Sequence, residues 1–227
     1  EEDKAKMLAL IPEYQRDART KGLPQLGAGA VYRVAIDDFC VKPFAIPDSW
    51  KVFFGMDVGY NHTAVAIMAL DPNTDTIYMF DEMHIKGMGA IDYAPKVKVK
   101  VGDFGGAVDP ASMAHSQTDG QQVFEILRKY GLDIITADNT VEGGITIVDE
   151  RLKTGRFKVF ETCKDFFDEY KMYRRDEKHY GKIVKTNDHM MDAVRYSIVT
   201  GIYKAKAKSA DAPRSARSYG SARGFFN

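Results

Sequence analysis

The residues able to do chemistry in this chain are three aspartates, Asp57, Asp109 and Asp192. Clustered carboxylates hold divalent metal ions, and a pair of such ions roughly 3.5–4 Å apart hydrolyses phosphodiester bonds. Aspartate suits that task because its short side chain fixes the oxygen positions. Oxygen donors also select Mg²⁺ or Mn²⁺ over softer metals. Asp57 ends the apolar run Phe53-Phe54-Gly55-Met56 and is followed by Val58 and the turn-forming Gly59. Asp109 repeats that arrangement between Val108 and Pro110. Asp192 lies in the helical text Asp188-His189-Met190-Met191-Asp192-Ala193-Val194-Arg195-Tyr196.

The elements that must position these acids follow from periodicity and turn residues. Residues 51–57, 63–70 and 77–85 read as three strands, the last two joined by the turn Asp71-Pro72-Asn73-Thr74-Asp75. Short connections make them an antiparallel meander. A helix over 90–100, a strand ending at Asp109, a helix over 121–130 that stops at Gly131 and a strand over 133–137 come next. Then follow a helix over 141–153, a short strand over 157–160, a helix over 162–175, a hairpin over 178–185 around Gly181 and a last helix over 188–200. Three antiparallel strands followed by alternating helix and strand make an α/β protein with a mixed sheet and helices on both faces. Acids at the carboxyl ends of such strands open into the crevice where ligands bind.

On the last helix, at about 100° per residue, Met190, Met191, Val194 and Ile198 form an apolar stripe and Asp188 and Asp192 share the other side. Each acid has an ordinary alternative. Asp57 could make an Asx turn before Gly59, and Asp109 could simply end a strand. Asp188 could cap the helix, and Asp192 could be a solvated acid paired with Arg195. Asp192 has no capping role, however, and aspartate is a poor residue inside a helix. His189 reads as a metal-side group or as a partly exposed histidine.

Bulk properties exclude several classes. The chain has 227 residues, enough for one domain with extensions, and its 32 basic and 32 acidic residues cancel. No apolar run reaches the roughly 20 residues of a membrane span. Cys40 and Cys163 stand far apart with no metal-ligand spacing, which fits a reducing compartment. Glu1-Glu2-Asp3-Lys4 lacks the basic start of a signal peptide, and a start other than Met suggests a fragment of a cytosolic protein. Residues 1–50, with helical text over 4–19 and Gly22-Leu23-Pro24, read as a connector. Residues 51–200 read as the catalytic domain. Residues 201–227 read as a flexible basic tail, with Lys204, Lys206, Lys208, Arg214, Arg217 and Arg223 against a single Asp211. Arg174, Arg175 and Lys178 lead into the expected hairpin and Lys182 and Lys185 leave it, interleaved with Tyr173 and Tyr180. Such a cluster can neutralise phosphates, and phosphate contacts carry little sequence preference. A solvated charged hairpin is its alternative.

The motifs also resemble a known family. Gly55-Met56-Asp57-Val58-Gly59-Tyr60-Asn61-His62-Thr63-Ala64 is similar to the first nuclease motif of the large terminase subunit of tailed double-stranded DNA phages. Asp109-Pro110-Ala111 with Ser116-Gln117-Thr118-Asp119-Gly120 resembles its second motif, and 188–196 its third. Asn139, Glu142, Ile145 and the connector residues Gly22 to Gly29 read like that family too. The resemblance implies an RNase H-like fold with a central five-stranded mixed sheet whose first and fourth strands are neighbours. It implies that Asp57, Asp109 and Asp192 are the catalytic ligands of two Mg²⁺ or Mn²⁺ ions, with Asp188 and His189 as auxiliary candidates. It implies an endonuclease that cuts concatemeric viral DNA during genome packaging in the host cytoplasm. Its partners would be double-stranded DNA, the portal protein, the small terminase subunit and an N-terminal ATPase domain. No Gly-x-x-x-x-Gly-Lys-Ser/Thr phosphate loop occurs here, so the expectation covers the nuclease portion alone.

Two other classes compete. A non-catalytic docking module for DNA or portal would keep the fold without the activity. Asp57-Val58-Gly59 with Thr63 also resembles the phosphate-binding turn of actin-like ATPases and sugar kinases. Gly105-Gly106 and Gly143-Gly144 are poorly placed for the adenosine motif that a phosphotransferase needs.

Overall fold

The computed structural model describes residues 29–59, 61–113, 122–176 and 181–207. The expected helix over 4–19, the Gly22-Leu23-Pro24 stretch, Tyr60, residues 116–120, Lys178, Tyr180 and the tail from 208 lie outside the described residues.

In chain order the first elements are α1 (Ile36–Phe39), β1 (Cys40–Val41), β2 (Lys51–Asp57), β3 (His62–Asp71), β4 (Thr76–Lys86), α2 (Ala90–Val101) and β5 (Gly105–Val108). Then come α3 (Val123–Lys129), β6 (Asp133–Thr136), α4 (Val141–Lys153), β7 (Phe157–Phe160), α5 (Lys164–Met172), α6 (His189–Val199) and β8 (Lys206–Ala207). All eight strands join one sheet in the order β1-β7-β4-β3-β2-β5-β6, with β8 beside β2. The five strands of the expected central sheet are its β4-β3-β2-β5-β6 portion, the expected short strand over 157–160 joins it as β7, and β1 and β8 extend it to eight. Two-residue strands such as β1 and β8 are too short to show an alternating pattern, so the sequence reading of a five-stranded sheet omits them.

The meander forms because Asp71 closes its turn: the carboxylate accepts the Asn73 N–H at 2.9 Å and the Thr74 hydroxyl at 2.8 Å. β2 and β3 pair antiparallel, while β5 and β6 run parallel to β2, and β7 runs parallel to β4. Val52, Phe53, Phe54 and Met56 alternate sides of β2 yet all are fully buried, so both faces of the sheet are covered. Register then places the acids. Met56 pairs with Val108, and the Asp109 N–H donates to the Met56 carbonyl at 2.9 Å. Asp57 and Asp109 therefore emerge side by side at the carboxyl ends of two parallel strands.

The third acid is positioned by a glycine. A Cβ on Gly55 would lie 2.2 Å from the Ala193 carbonyl oxygen and 2.5 Å from the Ser197 nitrogen, so α6 rests directly on the β2 backbone. Gly144 on α4 likewise leaves room for the Arg195 side chain, whose Cγ and Cδ would meet a Cβ at 2.6 Å. α6 is buried on every side from Met190 to Ile198, which exceeds the single apolar stripe read from sequence. Its polar residues are interior groups, not a solvated face.

Residues 29–50 add to this core. Phe39 packs against Phe166, Phe167 and Tyr170 of α5, and Tyr32 stacks on Tyr170 and packs against Tyr173. α5 stops at Met172, short of the expected 175, because Tyr173 and Arg175 leave it to exchange backbone bonds with Val31 and Gly29. Residues 201–207, expected to open the tail, belong to the fold: Lys206 and Ala207 pair with Val52 and Lys51. Lys204 and Lys206 both contact Asp133, the first of them at 2.6 Å.

Candidate metal centre

Asp57 ends β2, Asp109 stands one residue beyond β5 and Asp192 lies in the first turn of α6; they are 8%, 9% and 7% exposed. Burial pushes the Asp57 carboxyl up to about 6; the hydrogen bond from His189 opposes that shift, and the charges of Asp109 and Asp192 add to it. Asp57 thus senses the charge of both other acids, as a carboxylate sharing a site with them must.

Asp57 and Asp109 are each held through one oxygen, and Asp192 through both. Asp57 Oδ2 lies 2.8 Å from His189 Nδ1, and that bond is the main reason the imidazole is held above its ordinary value. Asp109 Oδ1 accepts the Ala111 N–H at 3.0 Å and lies 3.3 Å from the Tyr196 hydroxyl. That hydroxyl is also 3.1 Å from Asn139 Oδ1, and its single proton serves one acceptor at a time. Asp192 Oδ1 accepts from Arg195 Nη2 at 2.9 Å. The expected Asp192–Arg195 pair exists, but inside the protein: Arg195 is 1% exposed and its guanidinium carbon sits 4.5 Å from the Tyr196 ring centroid.

Lys185 completes the helix side of the crevice. Its ammonium is 3.0 Å from Asp192 Oδ2 and 2.8 Å from Asp188 Oδ2. Asp188 occupies the N-cap position of α6 without capping it. The cap comes from α5: Glu169 Oε2 accepts the Met190 N–H at 2.6 Å and the Met191 N–H at 3.3 Å. Burial pushes Glu169 up to about 7, against the pull of those two bonds. Sequence reasoning missed Glu169. Its only signal was an acid on the apolar face Phe166-Phe167-Asp168-Glu169-Tyr170.

A wall of imidazoles borders Asp57. The His62 and His189 rings stack at 5.0 Å between centroids, and His62 Nδ1 is 3.2 Å from His84 Nε2. His62 starts β3 and His84 lies near the end of β4, so the meander brings together residues that no local spacing relates.

The five cations expected to meet DNA separate. Arg174 and Lys182 are exposed. Arg175 is held in a two-pronged pair with Glu142 of α4 at 2.8 Å on each arm and also donates to the Gly181 carbonyl at 3.0 Å. Lys185 faces the acids, and Lys178 lies outside the described residues. The hairpin is represented by antiparallel bridging of Arg175 to Ile183.

Among the described residues, no three His, Cys, Asp or Glu side chains stand at metal-ligand spacing. The donor set nonetheless fits a hard divalent ion: three buried aspartates, with His189, Arg195 and Tyr196 each engaging a single oxygen of its acid.

The model of the terminase RNaseH-like domain matches residues 54–200, which contain all three acids. The chain belongs to the terminase RNaseH-like domain family. Among its relatives is the terminase large subunit of Salmonella phage P22, 31% identical over 236 residues that cover 94% of this chain and 46% of that protein. The chain therefore spans about half the length of the curated relatives it matches. The P22 large terminase nuclease domain superimposes with a TM-score of 0.71 at 29% identity, covering 81% of this chain and 97% of that one. The large terminase nuclease domain of bacteriophage SPP1, solved with bound manganese, shares the fold at a TM-score of 0.51 and 17% identity, over 72% of this chain and 96% of its own. The RNase H-like fold expected of a terminase nuclease is thus the fold found.

Proposed function

We propose that this chain is the nuclease portion of a phage DNA-packaging terminase, a metal-dependent endonuclease that cuts concatemeric viral DNA with little sequence preference. One observation carries the reading: three buried aspartates stand at two parallel strand ends and on the helix seated against them. Asp57, Asp109 and Asp192 would hold two Mg²⁺ or Mn²⁺ ions, which supply an activated water and charge stabilisation at the departing 3′ oxygen. The remaining work belongs to the chain. His189 orients Asp57, the Ala111 N–H and Tyr196 orient Asp109, and Arg195 orients Asp192, so the acids are set before substrate arrives. Asp188 and His189 are the auxiliary candidates at the rim. Exposed Arg174 and Lys182 are the cations free to meet phosphates, whereas Arg175 serves the fold through Glu142.

The manganese of the SPP1 relative supports the choice of ion. Double-stranded DNA, portal protein, small terminase subunit and an ATPase domain of the same protein are the proposed partners, met in the host cytoplasm. A second reading, a docking module for DNA or portal, is favoured by the contacts of Lys185 and His189 with the same acids.

Plasmid cleavage with Mn²⁺, Mg²⁺ or EDTA, using the unmodified chain, Asp57→Ala and Asp192→Ala, separates the two. Metal-dependent cutting lost in both variants supports the nuclease. Folded protein that never cuts, alone or joined to its ATPase domain, supports the docking module.

A further inference from the structure

The two oxygens of Asp192 meet two different kinds of cation. Oδ1 belongs to Arg195, which is 1% exposed, packed against Gly144 and stacked on Tyr196. That guanidinium has no route away from its acid. Oδ2 belongs to Lys185, whose side chain is 61% exposed while those of Asp188 and Asp192 are 8% and 10% exposed. The lysine reaches into the crevice with its stem in water, and its ammonium contacts one oxygen from each of two carboxylates. A divalent ion held by these acids would draw on the same carboxylate charge that the ammonium now neutralises.

The local backbone favours this reach. Asn187 has φ +53, a left-handed conformation that asparagine tolerates, and it turns the chain between Lys185 and the start of α6. Upstream, the Val184 N–H bonds to the Arg174 carbonyl, which anchors the segment just before the lysine. Lys185 is therefore tethered on both sides while its side chain remains free to swing outward without repacking the core.

We propose that Lys185 is a resident cation that competes with metal at this centre: its ammonium occupies Oδ2 of Asp188 and Oδ2 of Asp192 and is displaced when a divalent ion enters. The inference rests on the nuclease reading and adds to it the barrier to metal loading. Lysine is suited to such a place because it is a compact point charge on a flexible stem, able to satisfy buried carboxylates and then to leave. An arginine would hold them in a planar fork, as Arg175 holds Glu142.

The test uses the full 227-residue chain, stripped with chelator and titrated with Mn²⁺ alone, free Mn²⁺ being counted by electron paramagnetic resonance. Lys185→Met keeps the stem and removes the charge, and it should bind Mn²⁺ roughly tenfold tighter than the unmodified chain. Lys185→Arg keeps the charge in a group that leaves less readily and should bind Mn²⁺ no more tightly than the unmodified chain. Melting curves give a second readout: Lys185→Met should melt below the unmodified chain in EDTA and at or above it in saturating Mn²⁺. Equal or weaker Mn²⁺ binding by Lys185→Met, or a melting deficit that Mn²⁺ does not repair, overturns the proposal. Asp192→Asn identifies which idea has failed. If it loses Mn²⁺ binding while Lys185→Met binds like the unmodified chain, only the role of Lys185 falls. If Asp192→Asn binds Mn²⁺ normally, the metal centre itself is misassigned and the competitor falls with it.

Discussion

The strand side and the helix side of the crevice hold their acids in different ways. Asp57 and Asp109 are carried by backbone: a parallel ladder continues to the Asp109 N–H, and among the described residues neither acid pairs with a buried cation, Asp57 meeting only the part-exposed His189. Asp192 is carried by side chains: a helix seated on Gly55, capped by Glu169 and locked by Arg195. Sheet ladders fix positions through covalent geometry and many weak bonds. A helix laid across them depends on a few steric and polar contacts, so single substitutions should damage the second side far more than the first.

The most severe break is at the seat of the helix. Gly55→Val puts side-chain carbon where the α6 backbone lies, and since that backbone cannot yield like a flexible side chain, a loss of at least about 3 kcal/mol is expected. Urea unfolding or recovery of soluble protein measures it. A loss under 1 kcal/mol would mean that α6 does not rest on β2 as closely as described.

Next comes a paired test on the acids themselves, without added metal. Asp192→Ala leaves Arg195 buried without its carboxylate and should cost about 3–5 kcal/mol. Asp57→Ala removes a carboxyl that burial already holds up at about 6, so it should cost little or stabilise the chain at neutral pH. Equal losses in the two variants would erase the distinction between the sides.

The cap yields a pH signature. The folded-state value of Glu169, about 7, lies above its ordinary 4.5, so the folded protein holds that proton more firmly than the unfolded chain. The associated stability is full below about pH 4.5 and is lost as pH rises through about 7, on the order of 3 kcal/mol. Glu169→Gln should flatten that decline in melting curves taken across the window. An unchanged slope would assign the decline to other groups, Glu82 among them, which burial also pushes up to about 7.

The smallest effects concern the surface arginines. Arg174→Ala should lower the slope of log affinity for DNA against log salt by about one. Arg175→Ala should change that slope less and instead cost about 0.5 kcal/mol of stability, as expected for a half-exposed pair with Glu142. The reverse pattern would restore Arg175 as a phosphate contact.

Much of the fold was legible in advance, and the exceptions share a cause. β2, α4 and β7 begin and end where periodicity and turn residues set them, because those signals are local. The helix over 162–175 was read too long because its last residues were captured by Gly29 and Val31, far away in sequence. β1 and β8 were invisible because a two-residue strand exists only through its partner.

The same division runs through the site. The sequence by itself determined which residues could act: acids at the ends of apolar runs, a helix carrying Asp188, His189 and Asp192, and motifs of the terminase nuclease family. Those features depend on neighbours a few residues apart, where chain geometry dictates which side chains share a face. Only the tertiary structure decided how the groups are used. It joined Arg175 to Glu142 across 33 positions, brought His62 and His84 beside His189, and set Glu169 at the start of α6. It also turned Lys185 from a surface charge into a partner of two buried acids. Charge pairing and helix capping act over a few ångström of space, and folding alone decides which distant residues come within that range.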